Sequence, residues 1–286
     1  MSKIRTFFLL VNASKLRLAS LRLLIPAALL IVMNGMTPVK AGESGSGLKA
    51  FPGDISFLSC LAGGFGEALI ALEPPPDLRA WAIANVVRDA YAVVSLKAAM
   101  IEPEDAEAAK QLRLSATRSL RLAKQSGWEQ LQSVGPVELM SSDMIALSFW
   151  TAAAWGALIS LDRDDLEALA DWPKAKALAD RVRRMSPDFG EGAALALAAS
   201  FEWSSPGGKA VLARQWFAEA IDRFGAKQSM LHVSVAELLD VSDGNRQKFE
   251  DRLRLAIAIA DAHPGFENRL AAYKAHWLLS QSDLLF

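Results

Sequence analysis

The sequence predicts an all-α fold, arranged as a solenoid-like array of antiparallel helix pairs. Three observations lead there. No stretch alternates apolar and polar residues for long enough to make a useful strand. Residues 144–161, MIALSFWTAAAWGALISL, carry neither charge nor proline. In the C-terminal half, helix ends recur: Pro187, Gly225 and Pro264 stand 38 and then 39 residues apart, each between two helical stretches.

The charge-free stretch is the element around which the rest is organised. At about 100° per residue, Phe149, Trp150 and Trp155 point in different directions, so no single face hides all three. Such a helix must be enclosed by other helices or by lipid. A membrane span needs about 20 strongly apolar residues. This stretch is diluted by five alanines, two serines, Thr151 and Gly156, so enclosure by protein is the expectation. Asp143 is its expected N-cap.

From the start of the chain, residues 1–22 carry Lys3, Arg5, Lys15, Arg17 and Arg22 and no acid. The apolar run Leu23–Met33 follows, then Val39-Lys40-Ala41 before Gly42. This is the layout of a secretory signal peptide, residues 1–41, with an uncleaved N-terminal anchor as the alternative. Removing it takes away six basic residues and no acidic one, turning 31 against 32 into 25 against 32, a net charge of about −7. That balance argues against nucleic acid and anionic lipid as partners. Cys60, the single cysteine, reads as a buried small hydrophobe rather than a lipidated N-terminus.

Residues 42–53 read as a flexible leader, and 54–286 as the helical domain, with its clearest repeats in 172–286. Asp54 opens a helix that Gly63-Gly64-Phe65-Gly66 loosens and Pro74-Pro75-Pro76 ends; the glycines suit close helix packing. Asp77 is the expected cap of the next helix. Pro103, among acids, is expected in the first turn of another that runs to about Gln125 before Ser126-Gly127 interrupts it. Arg113, Arg118, Arg121 and Lys124 form a basic stripe on that helix, read as a solvated face.

Within the C-terminal repeats, Ala175-x3-Ala179-x2-Val182 and Ala213-x3-Phe217-x2-Ala220 have the second-helix spacing of a tetratricopeptide repeat. Arg252, Ala256 and Ile259 keep that spacing before Pro264. Small residues let paired helices approach, and proline closes each unit. The period exceeds the usual 34 or so residues, and loops such as Ser204-Ser205-Pro206-Gly207-Gly208 take up the excess.

Residues 149–286 resemble the T component of tetratricopeptide-associated tripartite ATP-independent periplasmic (TRAP) transporters, the TatT family. Trp150-x4-Trp155-Gly156 followed by Leu161-Asp162-Arg163-Asp164-Asp165 is the most specific part. The SSPGGK loop, the GAKQSM helix start and the terminal HWLLSQSDLLF add to it. The resemblance implies a periplasmic helical protein with degenerate repeats, a hydrophobic lumen and a tendency to form homotrimers. It further implies docking to a periplasmic substrate-binding protein that feeds a membrane permease. Several family members are lipoproteins, whereas this chain lacks a convincing lipobox.

Catalytic signatures are missing. His232, His263 and His276 show no metal-ligand spacing, and Asp162, Asp164, Asp165 and Glu167 lack the order of a calcium loop, so they read as helix capping before Leu166. No cofactor or metal is expected. The remaining candidates are aromatic: Phe149, Trp150, Trp155, Phe201, Trp203, Trp216 and Trp277, which would line a lumen for a hydrophobic or amphipathic small molecule. A binding function therefore outranks catalysis, and a non-catalytic scaffold for envelope proteins is the alternative.

Overall fold

The computed structural model describes residues 53–137, 141–162 and 165–286. The expected signal peptide, all of the leader except Gly53, and Arg163 and Asp164 lie outside the described residues. Among the described residues every regular element is helical.

Helix α1 (Gly53–Ile70) packs along α2 (Pro76–Val87). Their glycines work as the sequence suggested: a Cβ on Gly66 would lie 2.6 Å from the Ala82 carbonyl oxygen, and one on Gly63 would strike the Asp89 side chain. The opposite face of α1 leaves Phe57 and Leu61 exposed, and Phe65, partly exposed, stands edge-on to Trp81 at 6.0 Å. Cys60 shares that face and is exposed, contrary to expectation, because helical spacing sets it beside Leu61 and away from α2. The triproline corner starts α2 rather than only ending α1. Pro76 takes the first helical position, where its missing N–H costs nothing, and Asp77 falls in the first turn instead of capping. Buried Arg79 donates to the Pro74 carbonyl and to Ser126, tying this corner to the next long helix. Helix α2 continues through a π-helical segment, Arg88–Val94, into α3 (Ser95–Ile101).

Helix α4 (Ala106–Val134) starts later than Pro103 and ends well past Gln125. Asp105 is its cap, accepting the Ala108 N–H at 2.9 Å. Ser126-Gly127 does not interrupt it. Gly127 is buried where α4 meets α5 (Ile145–Leu161), and a Cβ there would lie 2.1 Å from Thr151 Oγ1. The glycine permits a crossing instead of a break.

Helix α5 is the charge-free stretch, and it is enclosed by protein as expected. It packs on α2, on α4 and on α7 (Trp172–Met185), and Ser160 is its one exposed residue. Its start differs: a 3-10 turn, Ser142–Met144, leads in, and Asp143 accepts from the Ser141 hydroxyl rather than capping. Asp165 caps the short α6 (Leu166–Ala170) by accepting from the Ala168 N–H, the capping role read from the acidic run.

Beyond α7 the chain runs through α8 (Ala193–Ser204), α9 (Ala210–Phe224) and α10 (Ser229–Val235). A second π-helical segment, Ala236–Asp240, follows, then α11 (Arg246–Ala262), α12 (Phe266–Ser280) and α13 (Ser282–Leu285). Ala175, Ala179 and Val182, then Ala213, Phe217 and Ala220, then Ala256 and Ile259, are all buried, so the recurrent spacing marks the contact faces of α7, α9 and α11. Asn268 stitches successive corners: its Oδ1 accepts the Ser229 N–H, and its amide donates to the carbonyls of Lys227 and His263. The last long helix meets the first. Leu270 packs with Ile55, Val93 and Leu96, and Arg269 pairs with Asp54 at 3.2 Å.

Candidate functional site

The seven aromatic candidates divide into two groups. Phe149, Trp155 and Phe201 are core residues. Phe149 meets Phe189 and Trp150 with ring centroids 4.9 Å away in each case. Trp155 has no exposed surface, sits edge-on to Trp128 at 5.3 Å, and has the Lys124 ammonium 4.7 Å from its ring. Phe201 is edge-on to Trp172 and lies over Gly156, where a Cβ would be 3.1 Å from its Cζ.

Trp150, Trp203, Trp216 and Trp277 are half-buried. Three of these carry an arginine over the ring: Arg88 at 4.9 Å from Trp150, Arg214 at 5.0 Å from Trp203, and Arg183 at 4.0 Å from Trp216. Trp277 lies between the packing cluster of α10–α12 and the one that joins Leu270 to Val93. The seven residues therefore belong to several packing clusters: Phe149 touches Trp150, and Trp203 and Trp216 share a cluster, but the seven do not converge on one site.

The basic stripe of α4 is mostly paired. Arg113 binds Glu102, Arg121 binds Asp162 and Asp165, and Lys124 is 4.0 Å from Asp171. Arg118 is exposed at the lip of a hollow of about 300 Å³ that Glu67, Ser119 and Leu122 also line.

A larger hollow, of about 700 Å³, lies beside the SSPGGK loop, with Trp172, Pro173, Lys176, Glu202 and Pro206 among its walls. Sequence reasoning passed over Trp172 because its value depends on the loop 33 residues later: its Nε1 donates to Ser205 Oγ at 2.8 Å. Lys176 pairs with Asp180 at 2.8 Å and with Glu202 at 2.7 Å, while the Lys209 N–H donates to Glu202. The Lys176 ammonium and that N–H hold the Glu202 carboxyl below its ordinary range. Gly207 takes a left-handed φ of +74°, and a Cβ on Gly208 would sit 1.9 Å from the Glu202 carbonyl oxygen, so both glycines are required by the turn.

His232 is buried with Nε2 3.0 Å from the Gly225 carbonyl oxygen; burial, with Arg252 adding to it, pushes its pKa down against that hydrogen bond. Among the described residues, no group of three or more His, Cys, Asp or Glu side chains is placed to hold a metal ion.

Two charged pairs between helices were missed from sequence. Lys274 pairs with Glu237, and Arg88 with Glu267. Their signal was a lone lysine within LAAYKAHWLL and a charged pair interrupting the apolar ANVVRDAYAVV.

A family model described as TRAP transporter T-component matches residues 90–286. No curated protein matches the chain.

Proposed function

Because this chain belongs to the TRAP transporter T-component family, with the accessory part in TRAP transport that membership carries, we propose that it binds a hydrophobic or amphipathic small molecule and relays it to a periplasmic substrate-binding protein. In this reading residues 1–41 direct export to the periplasm, and residues 54–286 form a tetratricopeptide-like solenoid that assembles as a homotrimer. The observation that carries ligand binding is the set of half-buried tryptophans. Trp150, Trp203, Trp216 and Trp277 keep part of their surface open, and arginines over three of them leave an apolar edge beside a charge. An open indole edge beside a charge suits a molecule with an apolar tail and a polar end. Each buried methylene would contribute about 0.8 kcal/mol before ordering costs.

Organic extraction of natively purified protein, with mass spectrometry, should recover an apolar guest, and medium-chain acids should titrate the tryptophan fluorescence. Trp150→Asp or Trp203→Asp should weaken uptake more than docking to the substrate-binding protein. No extractable guest and no titration, with partner docking intact, would leave the scaffold reading. One feature favours that alternative: the exposed apolar face of α1, with Phe57 64% exposed and Leu61 51%.

A further inference from the structure

Every exposed residue from Phe57 to Leu72 is uncharged. These residues recur at three- and four-residue steps, among them Phe57, Cys60, Leu61, Phe65 and Ala68 on α1 and Leu72 in the turn after it. They therefore form one stripe along the helix. Leu72 is 63% exposed, and a Cβ on Gly64, within the stripe, would meet nothing within 4 Å. Where α1 reaches α4, at the hollow lined by Glu67 and Ser119, a second exposed row adjoins it: Leu114, Arg118 and Leu122, each four residues from the next. Glu67 accepts from the Ser119 hydroxyl, and among the described residues Arg118 is paired with no carboxylate.

We propose that the α1 stripe, flanked by Leu114, Arg118 and Leu122, lies against the surface of a phospholipid bilayer. The contact is peripheral: Ile55, Gly63, Gly66 and Leu69 are buried and hold α1 to the protein, so the helix rests on lipid and does not cross it. Three observations choose lipid over a protein partner. The stripe offers no side-chain hydrogen-bonding group except the weak Cys60 thiol. A protein interface carries about one hydrogen bond per 100–200 Å², whereas acyl chains ask for none. Arg118 stands between two exposed leucines, the setting in which an arginine lays its stem on apolar surface and extends its head to a phosphate. Finally, Phe57 follows Met33, the end of the apolar run, by 24 residues; on the export reading proposed above, α1 is the first of the described helices to leave the membrane, beside lipid. With a net charge of about −7 beyond residue 41, 25 basic residues against 32 acidic, the protein gains little from anionic lipid. Apolar insertion carries the binding.

Cys60, the single cysteine, lies within the stripe and takes the reporter. Natively purified protein, labelled there with an environment-sensitive fluorophore, is titrated with phosphatidylcholine vesicles that hold a quencher among their acyl chains. The emission should shift to the blue and be quenched, with nearly the same partition coefficient at low and high salt. Unlabelled protein should float with the same vesicles. Phe57→Ser combined with Leu61→Ser should lower partitioning about tenfold or more; both side chains are exposed, and circular dichroism shows that the variant is folded. Phe57→Ser alone, with a smaller loss in the same direction, serves if the pair does not fold. A Cys60 signal that ignores vesicles overturns the proposal, even where residues 1–41 bring the protein down with lipid. So does flotation that neither variant weakens. A blue shift that grows with protein concentration alone would assign the stripe to a second copy, and one that needs the substrate-binding protein would assign it to that partner; either result overturns the lipid contact and leaves the carrier reading untouched.

Discussion

Replacing Gly127 by alanine should destabilise the protein, although alanine is the better helix former. In an isolated helix the change would gain about 1 kcal/mol. Here the new methyl would lie 2.1 Å from Thr151 Oγ1, 3.0 Å from Thr151 Cβ and 3.1 Å from Ile83 Cδ1, all within packed core. Thr151 has no exposed surface, and its hydroxyl donates to the Leu147 carbonyl at 2.7 Å, so it cannot turn aside without losing that bond. Overpacking of this kind costs about 1–3 kcal/mol, and the closeness of the contact puts it at the upper end. The net loss should be about 2 kcal/mol, a fall in Tm of roughly 4–8 °C for a unit of this size. Thr151→Ala removes the oxygen and frees the space. In the double variant the new methyl fills it, so the two changes should couple favourably by about 1–2 kcal/mol in a thermal-melt cycle. A Gly127→Ala protein that melts higher than the parent would show that α4 and α5 do not approach as described.

Trp155→Ala should cost about 3–5 kcal/mol in denaturant unfolding, because a side chain with no exposure leaves a cavity against Trp128 and Lys124. An unchanged midpoint would make α5 peripheral. His232 predicts a pH dependence. Its folded pKa lies below its ordinary value through burial, so the unfolded chain takes up the proton more readily. Stability from this site is complete above about pH 6.5 and is lost as pH falls toward the lower folded pKa. His232→Gln should flatten that slope in melts recorded between about pH 7 and pH 5, and an unaltered slope would assign the dependence to other groups.

The parts of the fold legible in the sequence were those whose cause is local. The enclosure of α5 followed from aromatic residues pointing every way, and the contact faces of α7 and α9 from small residues at helical spacing. Asp165 as a cap followed from its place before Leu166. What escaped depended on a distant partner. Gly127 reads as punctuation until Thr151 is set against it, and Pro76 reads as a stop until the helix after it is seen to begin there. The candidate site was less legible. Tryptophan marks bulk, but whether its face is covered depends on neighbours from other helices, as Arg183 over Trp216 shows. The pairing of Lys274 with Glu237 needs two helices and a π-helical turn in place, and no spacing rule announces that.

The meeting of α1 with α12 sets an order of events for the newly made chain. Asp54 and Arg269 are separated by 215 positions, so the first described helix finds one of its partners only when nearly all of the chain exists. Contacts this remote slow folding, since the intervening loop must close before they are rewarded. Until then Ile55, Val93 and Leu96 lack the cover of Leu270, next to an α1 on which Phe57 and Leu61 are exposed. A chain not yet long enough to include α12 thus exposes apolar surface on more than one side of α1, the kind of surface on which chaperones act. Loss of the C-terminal helices would then do more than shorten the chain: it would leave the N-terminal helices without that cover.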